Sequence, residues 1–404
     1  MNIRITPSSL QGHIVAPPSK SMAHRLLICG GLSAGESIIH GISRAEDVDA
    51  TLDCLSALGA EYTRDGDSIR IRGTDVRTCC PRAPLFCRES GSTLRFFLPL
   101  CLLSGNEAVL RGAPRLFERP LSVYENIAAD QGLTFLRTEE SVTVGGRLRA
   151  GEYRIPGDIS SQFISGLLFA LPLLEEDSTV VLLPPVESRS YILLTIKALA
   201  LFGVDIVWRD AHTLFVRGSQ TYRASEQTAE GDWSNAAAFL ALNLLGGEVT
   251  VGGLAENSLQ GDRVCPDYFA RLSDGTPTLS LADCPDLGPI LMALAAAKHG
   301  AVLCDTRRLR LKESDRVAAM AEELAKFGAS VTVQKDTVKV CPAAFHAPSE
   351  PLSGHGDHRV VMALCALLCK TGGELVGAEA VGKSLPRYFE LLTALGARVE
   401  FFQE

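Results

Sequence analysis

The sequence has no apolar stretch long enough to span a bilayer: the longest, such as Phe163 to Leu174, run to about a dozen residues against the roughly 20 that a membrane helix needs. Such stretches are expected to be core helices, with no membrane partner. Met1 to Ser9 contain no apolar signal core and pass directly into strand-like sequence, so no export segment is expected and the location read from sequence is cytoplasmic. Positive charge is in deficit. There are 39 Lys and Arg against 47 Asp and Glu, a net charge of −8, which argues against nucleic acid or an anionic membrane as the main partner. An anionic small molecule stays open, because its site depends on local charge. Low-complexity tracts are absent and aromatics make up only 6% of the chain, but 46% hydrophobic and 21% charged residues are ordinary for a folded protein. The 12 cysteines lack paired metal-ligand spacing, and no histidine stands at zinc-ligand distance from Cys79, Cys80 and Cys87. Several, among them Cys29, Cys101, Cys365 and Cys369, lie inside apolar runs and are expected to be buried reduced thiols; no metal is expected.

What is present is a repeat. A length of 404 residues exceeds what one core serves, so two domains are the starting expectation. A polar or glycine-bearing start opens an apolar helix near Ser21, Ser92, Ser160, Trp233, Leu287 and Asp357, at intervals of about 71, 68, 73, 54 and 70 residues. Each helix leads to a β-branched strand such as G-E-S-I-I-H-G or D-S-T-V-V-L-L. A second helix then ends in glycine, at Gly59, Gly132, Gly203, Gly275, Gly328 and Gly396, the signature of a left-handed cap. A hairpin follows most of these glycines, clearest at E-Y-T-R-D-G-D-S-I-R-I-R-G. The unit is β-α-β-α-β-β. The short fourth interval leaves room for a single strand after Gly275, so that copy has lost its hairpin. Six such units cannot share one core and divide three per domain. A strand precedes the first unit, which makes one domain discontinuous: residues 1–18 with 230–404, and 19–229.

The polar starts matter because a helix N-terminus presents unpaired N–H groups and partial positive charge, a general anion site. Ser21, Ser92 and Ser160 read as N-caps. Cations accompany these ends. Lys20 and Arg25 lie at one helix start; Arg115 and Arg119 in a proline-bounded loop; Arg308, Arg310, Lys312 and Arg316 beside Glu313 and Asp315; Arg359 in the first turn of the sixth apolar helix; Lys383 next to a turn. Recurrence at equivalent places in a repeated unit points to binding of anions.

In order and spacing, P-S-K-S-x-x-x-R (Ser19 to Arg25), S-G-S-T-x-R (Ser90 to Arg95), P-R-x-x-E-R-P (Pro114 to Pro120), S-S-Q-F (Ser160 to Phe163), S-x-x-Y (Ser188 to Tyr191), E-G-D (Glu230 to Asp232), Q-G-D (Gln260 to Asp262), K-E-S-D-R (Lys312 to Arg316), D-H-R (Asp357 to Arg359) and G-K-S-x-P-x-Y-F (Gly382 to Phe389) resemble the 5-enolpyruvylshikimate-3-phosphate synthase family of enolpyruvyl transferases from end to end. The resemblance implies a two-domain inside-out α/β barrel of six βαβαββ repeats with the fourth truncated. It implies transfer of the enolpyruvyl group of phosphoenolpyruvate to the 5-hydroxyl of shikimate 3-phosphate, with loss of phosphate and with no metal or organic cofactor. By resemblance, shikimate 3-phosphate is held by Lys20, Ser21, Arg25, Ser160, Ser161, Gln162, Ser188, Tyr191, Asp286 and Lys312. Phosphoenolpyruvate falls to Lys20, Gly91, Arg119, Gln162, Arg316, Arg359 and Lys383. Acid and base work falls to Asp286, Glu313 and Lys20, and the protein is expected to be a monomer. Glu89 and Arg308 stand where the family has asparagine. Glu89 is expected to pair with Arg88 or Arg115.

Three rivals are weaker. A transferase acting on UDP-N-acetylglucosamine opens with lysine-asparagine where this chain has Lys20-Ser21, and uses a loop cysteine not found after Gly112. A phosphate cyclase acting on RNA ends is disfavoured by the net charge. A silent phosphometabolite-binding protein would be expected to have lost a carboxylate or a lysine from the constellation, and none is missing.

Overall fold

A helix that is apolar on every side must be surrounded by protein. G-P-I-L-M-A-L-A-A-A forms the helix Gly288–Ala297, buried from Gly288 to Ala296, and S-Q-F-I-S-G-L-L-F-A forms Ser161–Ala170, buried along nearly its whole length. The computed structural model describes residues 1–81, 83–342 and 345–402. In it the apolar helices are Lys20–Gly31, Gly91–Cys101, Ser161–Ala170, Trp233–Leu240, Gly288–Ala297 and His358–Thr371, each starting within one residue of the position read from sequence. Helices form the inside and sheets the outside.

The chain separates into two compact units, Pro18–Glu230 and Met1–Pro17 with Gly231–Glu404. In the Pro18–Glu230 domain each unit is a four-stranded sheet of one pattern. Glu152–Pro156 runs parallel to Ser178–Leu183 across the Ser161 helix; Thr213–Val216 and then Ile206–Trp208 extend that sheet antiparallel. Ser178, Val180 and Leu182 are buried and their neighbours half-exposed, so one face of the sheet covers the helices. Glu226–Thr228 returns to pair in parallel with Glu36–His40, which closes the three units on one another. The second helices run Glu46–Ala57, Ser122–Gln131 and Arg189–Leu201.

In the other domain the truncated unit is a two-stranded sheet, Gln11–Val15 with Glu248–Gly252, and Thr278–Ser280 leads the next unit. The sixth unit holds a surprise: its hairpin is not local. Arg398–Phe402 pairs with Asn2–Thr6, which lies between it and Gly373–Val376. Gly59, Gly132, Gly203, Gly328 and Gly396 have positive φ as expected of caps, whereas Gly275 is extended at φ 169°. The N-caps are also displaced from expectation. Ser19 and Ser90 accept from the backbone, not Ser21 and Ser92; Ser160 caps as read. All 12 cysteines are free, eight of them buried. No helix of the described residues is long and apolar enough to cross a membrane.

Two helices of the Pro18–Glu230 domain meet at Gly166, where an added Cβ would overlap the Arg95 carbonyl and the Tyr124 hydroxyl. Gly166→Ala is therefore expected to cost about 1–3 kcal/mol by overpacking. Denaturant unfolding checks this; an unchanged midpoint would mean that the two helices part freely.

Candidate functional site

Buried helices reach solvent only at their ends, and the charged residues gather there. In the Pro18–Glu230 domain, Ser19 caps the Lys20 helix and Lys20 follows with its Nζ 2.7 Å from Asp47 Oδ2. Ser21 opens the same turn. Arg25 lies one turn inward, 3% exposed, and donates to Thr195 Oγ1 (2.8 Å), the Ser21 carbonyl (2.6 Å), the Tyr191 carbonyl (3.1 Å) and Ser165 Oγ (3.4 Å). One Nη1 hydrogen remains for a ligand. Burial lowers the Arg25 pKa to about 10, which still leaves it charged at neutral pH. Ser160 caps the helix that carries Ser161 and Gln162. Gln162 is oriented from both sides: its Oε1 accepts from Arg95 (2.7 Å) and its Nε2 donates to Ser92 Oγ (2.9 Å). Ser188, in left-handed conformation at φ 54°, precedes the helix that bears Tyr191.

Pro114–Glu118 is a short helix, where a loop was expected. Its one turn separates the two arginines: Arg115 is exposed and pairs with Glu118, while Arg119 is 7% exposed. Arg119 lies flat on Gly91, so close that a Cβ there would stand 2.6–2.9 Å from its guanidinium. Its Nε has no acceptor among the described residues. Arg88 is committed to Asp53 (2.7 Å).

In the discontinuous domain the centre is Arg316, 1% exposed. It reaches Asp286 Oδ1 (2.8 Å), Glu313 Oε2 (3.0 Å) and Asp357 Oδ2 (2.8 Å). Lys312 adds a second cation to Asp286 at 3.1 Å. Burial pushes the Asp286 carboxyl up, but Lys312, Arg316 and Arg359 outweigh it and hold it well below the usual carboxylate range. Burial likewise pulls Arg316 down, and Asp357, Glu313 and Asp286 more than restore it. Arg359 is 6% exposed; it donates to Asn235 Oδ1 (2.9 Å), and its Nε has no acceptor among the described residues. Lys383 Nζ donates to the Gly356 carbonyl at 2.7 Å.

The cationic cluster read from sequence around Lys312 is thinner than expected. Arg308 turns to the Ala282 carbonyl (2.5 Å), Arg310 to the Lys335 carbonyl (3.0 Å), and Asp315 caps the helix Arg316–Ala325. Lys312, Glu313 and Arg316 stay together with Asp286. Sequence reading gave no role to Asp47, Arg95, Asn235 or Asp357. Arg95 and Asp357 lie within the motifs S-G-S-T-x-R and D-H-R, a signal that could have found them. Asp47 and Asn235 are 27 and 124 residues from the cations that they orient, and carry none. Glu322, Glu323 and His355 bring one potential ligand atom each within 4.8 Å of one another. The Glu323 carboxylate there already accepts from Lys326, His355 and the Ser353 N–H.

Known proteins match the chain over nearly its whole length. Residues 5–272 and 274–392 match the family model for EPSP synthase (3-phosphoshikimate 1-carboxyvinyltransferase). The 3-phosphoshikimate 1-carboxyvinyltransferase of Clostridium kluyveri is 37% identical over 421 residues, with 98% of each chain covered. That of Clostridium perfringens is 37% identical over 414 residues, with 97% of each covered. Among solved structures, EPSP synthase from Acinetobacter baumannii superposes with TM-score 0.78 at 21% identity, over 99% of this chain and 100% of that one. The enolpyruvyl transferase NikO from Streptomyces tendae does so with TM-score 0.76 at 14% identity, over 99% and 98%. The fold is thus that of the two-domain inside-out α/β enolpyruvyl transferases, and by its family match and its full-length relatives the chain belongs to the EPSP synthase family.

Proposed function

We propose that this chain transfers the enolpyruvyl group of phosphoenolpyruvate to the 5-hydroxyl of shikimate 3-phosphate and releases phosphate, through a tetrahedral ketal phosphate. The observation that carries the reading is the state of two arginines. Arg119 and Arg359 are 7% and 6% exposed, and each keeps an Nε donor with no acceptor among the described residues. A buried cation with unmade hydrogen bonds is costly, and an anionic ligand removes the cost. Phosphoenolpyruvate, with a carboxylate and a phosphate, carries the kind of anionic group that each of them can take up. Arg25 and Arg316 differ: nearly all their donors are spent on protein, so they bind through the one hydrogen that each has left and otherwise hold the architecture.

The chemistry needs a base for the 5-hydroxyl and an acid for the methylene carbon of phosphoenolpyruvate. Asp286 is ionised, hence able to accept a proton, but its cations make it a weak base while no substrate is bound. Lys312 is its nearest lysine and is assigned to shikimate 3-phosphate. A lysine drawn onto substrate oxygens stops stabilising the Asp286 charge, and the carboxylate becomes more basic when the hydroxyl arrives. Glu313, on the other side of the same guanidinium, is assigned the proton that the methylene carbon gains, with Lys20 as the alternative donor. In the elimination the methyl group returns a proton to the group that supplied it, Asp286 passes its proton to the departing phosphate, and the cations neutralise the departing charge.

Asp262 belongs to this environment through charge. Burial, then the negative charge of Asp286, raises its pKa to about 7, against the opposing pull of Ser234 and Arg359. An unfolded aspartate titrates near 3.9. The folded state therefore holds the extra proton between about pH 4 and 7; the stability contributed by this group is fully present below about pH 4 and is lost as pH rises through about 7.

Three outcomes test the reading. Asp286→Asn and Glu313→Gln are each expected to lower turnover by about 10²–10⁴-fold with small changes in KM, read by phosphate release with shikimate 3-phosphate or UDP-N-acetylglucosamine as acceptor. Faster release with the nucleotide sugar would overturn the substrate. Arg119→Ala and Arg359→Ala should each weaken phosphoenolpyruvate by about 1.5–3 kcal/mol, and Arg25→Ala should weaken shikimate 3-phosphate instead. Arg25→Ala is expected also to lower Tm, since its bonds join two further helices; equal losses for both substrates in all three variants would sink the division. Asp262→Asn is expected to raise stability on the order of a few kcal/mol at pH 8, with the gain vanishing near pH 4. Thermal melts at the two pH values decide it, and a pH-independent difference would mean that Asp262 does not titrate in this range.

A further inference from the structure

A row of buried polar side chains joins three helices of the Pro18–Glu230 domain and ends beside Gly91. His24 Nδ1 is 2.7 Å from Thr51 Oγ1, which is 2.9 Å from Thr93 Oγ1, which is 2.8 Å from Ser90 Oγ. His24 and Ser90 are 1% exposed, Thr51 and Thr93 0%. Each hydroxyl has one hydrogen, so the direction of one bond decides the rest. The Thr93 hydroxyl has three oxygens in reach, Ser90 Oγ at 2.8 Å, Thr51 Oγ1 at 2.9 Å and the Asp47 carbonyl at 3.4 Å. The shortest of the three has Thr93 as the donor to Ser90. Thr93 therefore donates to Ser90, accepts from Thr51, and leaves Thr51 to accept from an Nδ1–H of His24.

Ser90 Oγ also accepts the Thr93 N–H at 3.2 Å as the cap of its helix. Both its lone pairs are then in use. Its own hydrogen has no acceptor among the described residues, although an unmade donor at such burial costs about 1–3 kcal/mol. The next residue is Gly91, on which Arg119 lies with its Nε likewise unanswered. Both donors thus belong to residues next to Gly91, Ser90 before it in the chain and Arg119 packed against it.

We propose that Ser90 donates its hydroxyl hydrogen to the anion bound at Gly91 and Arg119, and that Thr93, Thr51 and His24 are positioning residues that hold the hydroxyl in that sense. This rests on the assignment of phosphoenolpyruvate to Gly91 and Arg119. His24 has the form that the row requires. Burial, then Lys20 and Arg25, hold its imidazole well below the usual range, hence neutral, and its Nε2 has no partner among the described residues. A cationic ring would bury a second N–H with nothing to receive it. Because hydroxyl chains polarise cooperatively, the row also strengthens the terminal donor.

Steady-state kinetics of the full chain, with each substrate varied in turn and Tm measured for every variant, provide the test. Wild-type turnover comes first. Ser90→Ala is expected to raise KM for phosphoenolpyruvate about 10- to 100-fold, the worth of one hydrogen bond to a charged group, with KM for shikimate 3-phosphate within about twofold. Ser90→Gly, which keeps most of the capping value, should match it. Thr93→Val and His24→Leu should give the same selective loss at about 3- to 10-fold, while Thr93→Ser and His24→Asn, whose amide N–H replaces Nδ1–H, should restore KM to within about twofold. An unchanged KM for phosphoenolpyruvate in Ser90→Ala, equal losses for both substrates, or failure of both conservative variants to restore KM would each overturn the proposal. A wild type that releases no phosphate would overturn the assigned reaction instead. In that case calorimetric binding of phosphoenolpyruvate to wild type and Ser90→Ala decides on Ser90, equal affinities counting against it.

Discussion

A helix apolar around its whole circumference can meet water only at its ends, and the arrangement of this protein follows from that. The Gly288–Ala297 and Ser161–Ala170 helices leave no polar flank, so no flank can carry chemistry. Polar groups are displaced to the first turns. Lys20, Gly91, Ser161, Asp286 and Arg359 all lie at or beside the start of one of the six apolar helices. The N-terminal N–H groups there already favour anions, so one constraint on packing both gathers the functional groups and sets the sign of what they bind.

Charge compensation then divides the arginines. Arg316 is answered by three carboxylates and Arg25 by hydroxyls and carbonyls, so both behave as internal struts. Arg119 and Arg359 are nearly as buried but incompletely answered. In a low-dielectric setting that difference separates architecture from binding capacity more sharply than exposure does. The same logic holds Asp286 ionised while its neighbour Asp262 is raised to about 7: three cations crowd the first, and the second is raised by burial and by the charge of the first.

Residues that are close along the chain were legible; residues brought together over long distances were not. The six apolar helices, the strands after them and the missing fourth hairpin follow from local patterns of burial and turn chemistry, which act over a few residues. The motifs likewise named Lys312, Glu313 and Arg316, which lie on adjacent turns. The sixth hairpin was not legible. Its second strand is Asn2–Thr6, and nothing in Arg398–Phe402 says that its partner stands at the other end of the sequence. Nor could a proline-bounded run show that Pro114–Glu118 would coil once and turn Arg115 outward while Arg119 turned inward.

The sequence by itself determined the repeat, the burial of the apolar helices and the inventory of cations and carboxylates, because each depends on side-chain type and short-range periodicity. Only the tertiary structure decided which cations are spent. Whether Lys20 meets Asp47, Arg359 meets Asn235, or Thr51 lies between His24 and Thr93 depends on which helices pack together. A hydrogen bond needs its atoms within about 3 Å and in line, a condition that the folded chain meets across tens to hundreds of residues and that local sequence does not encode.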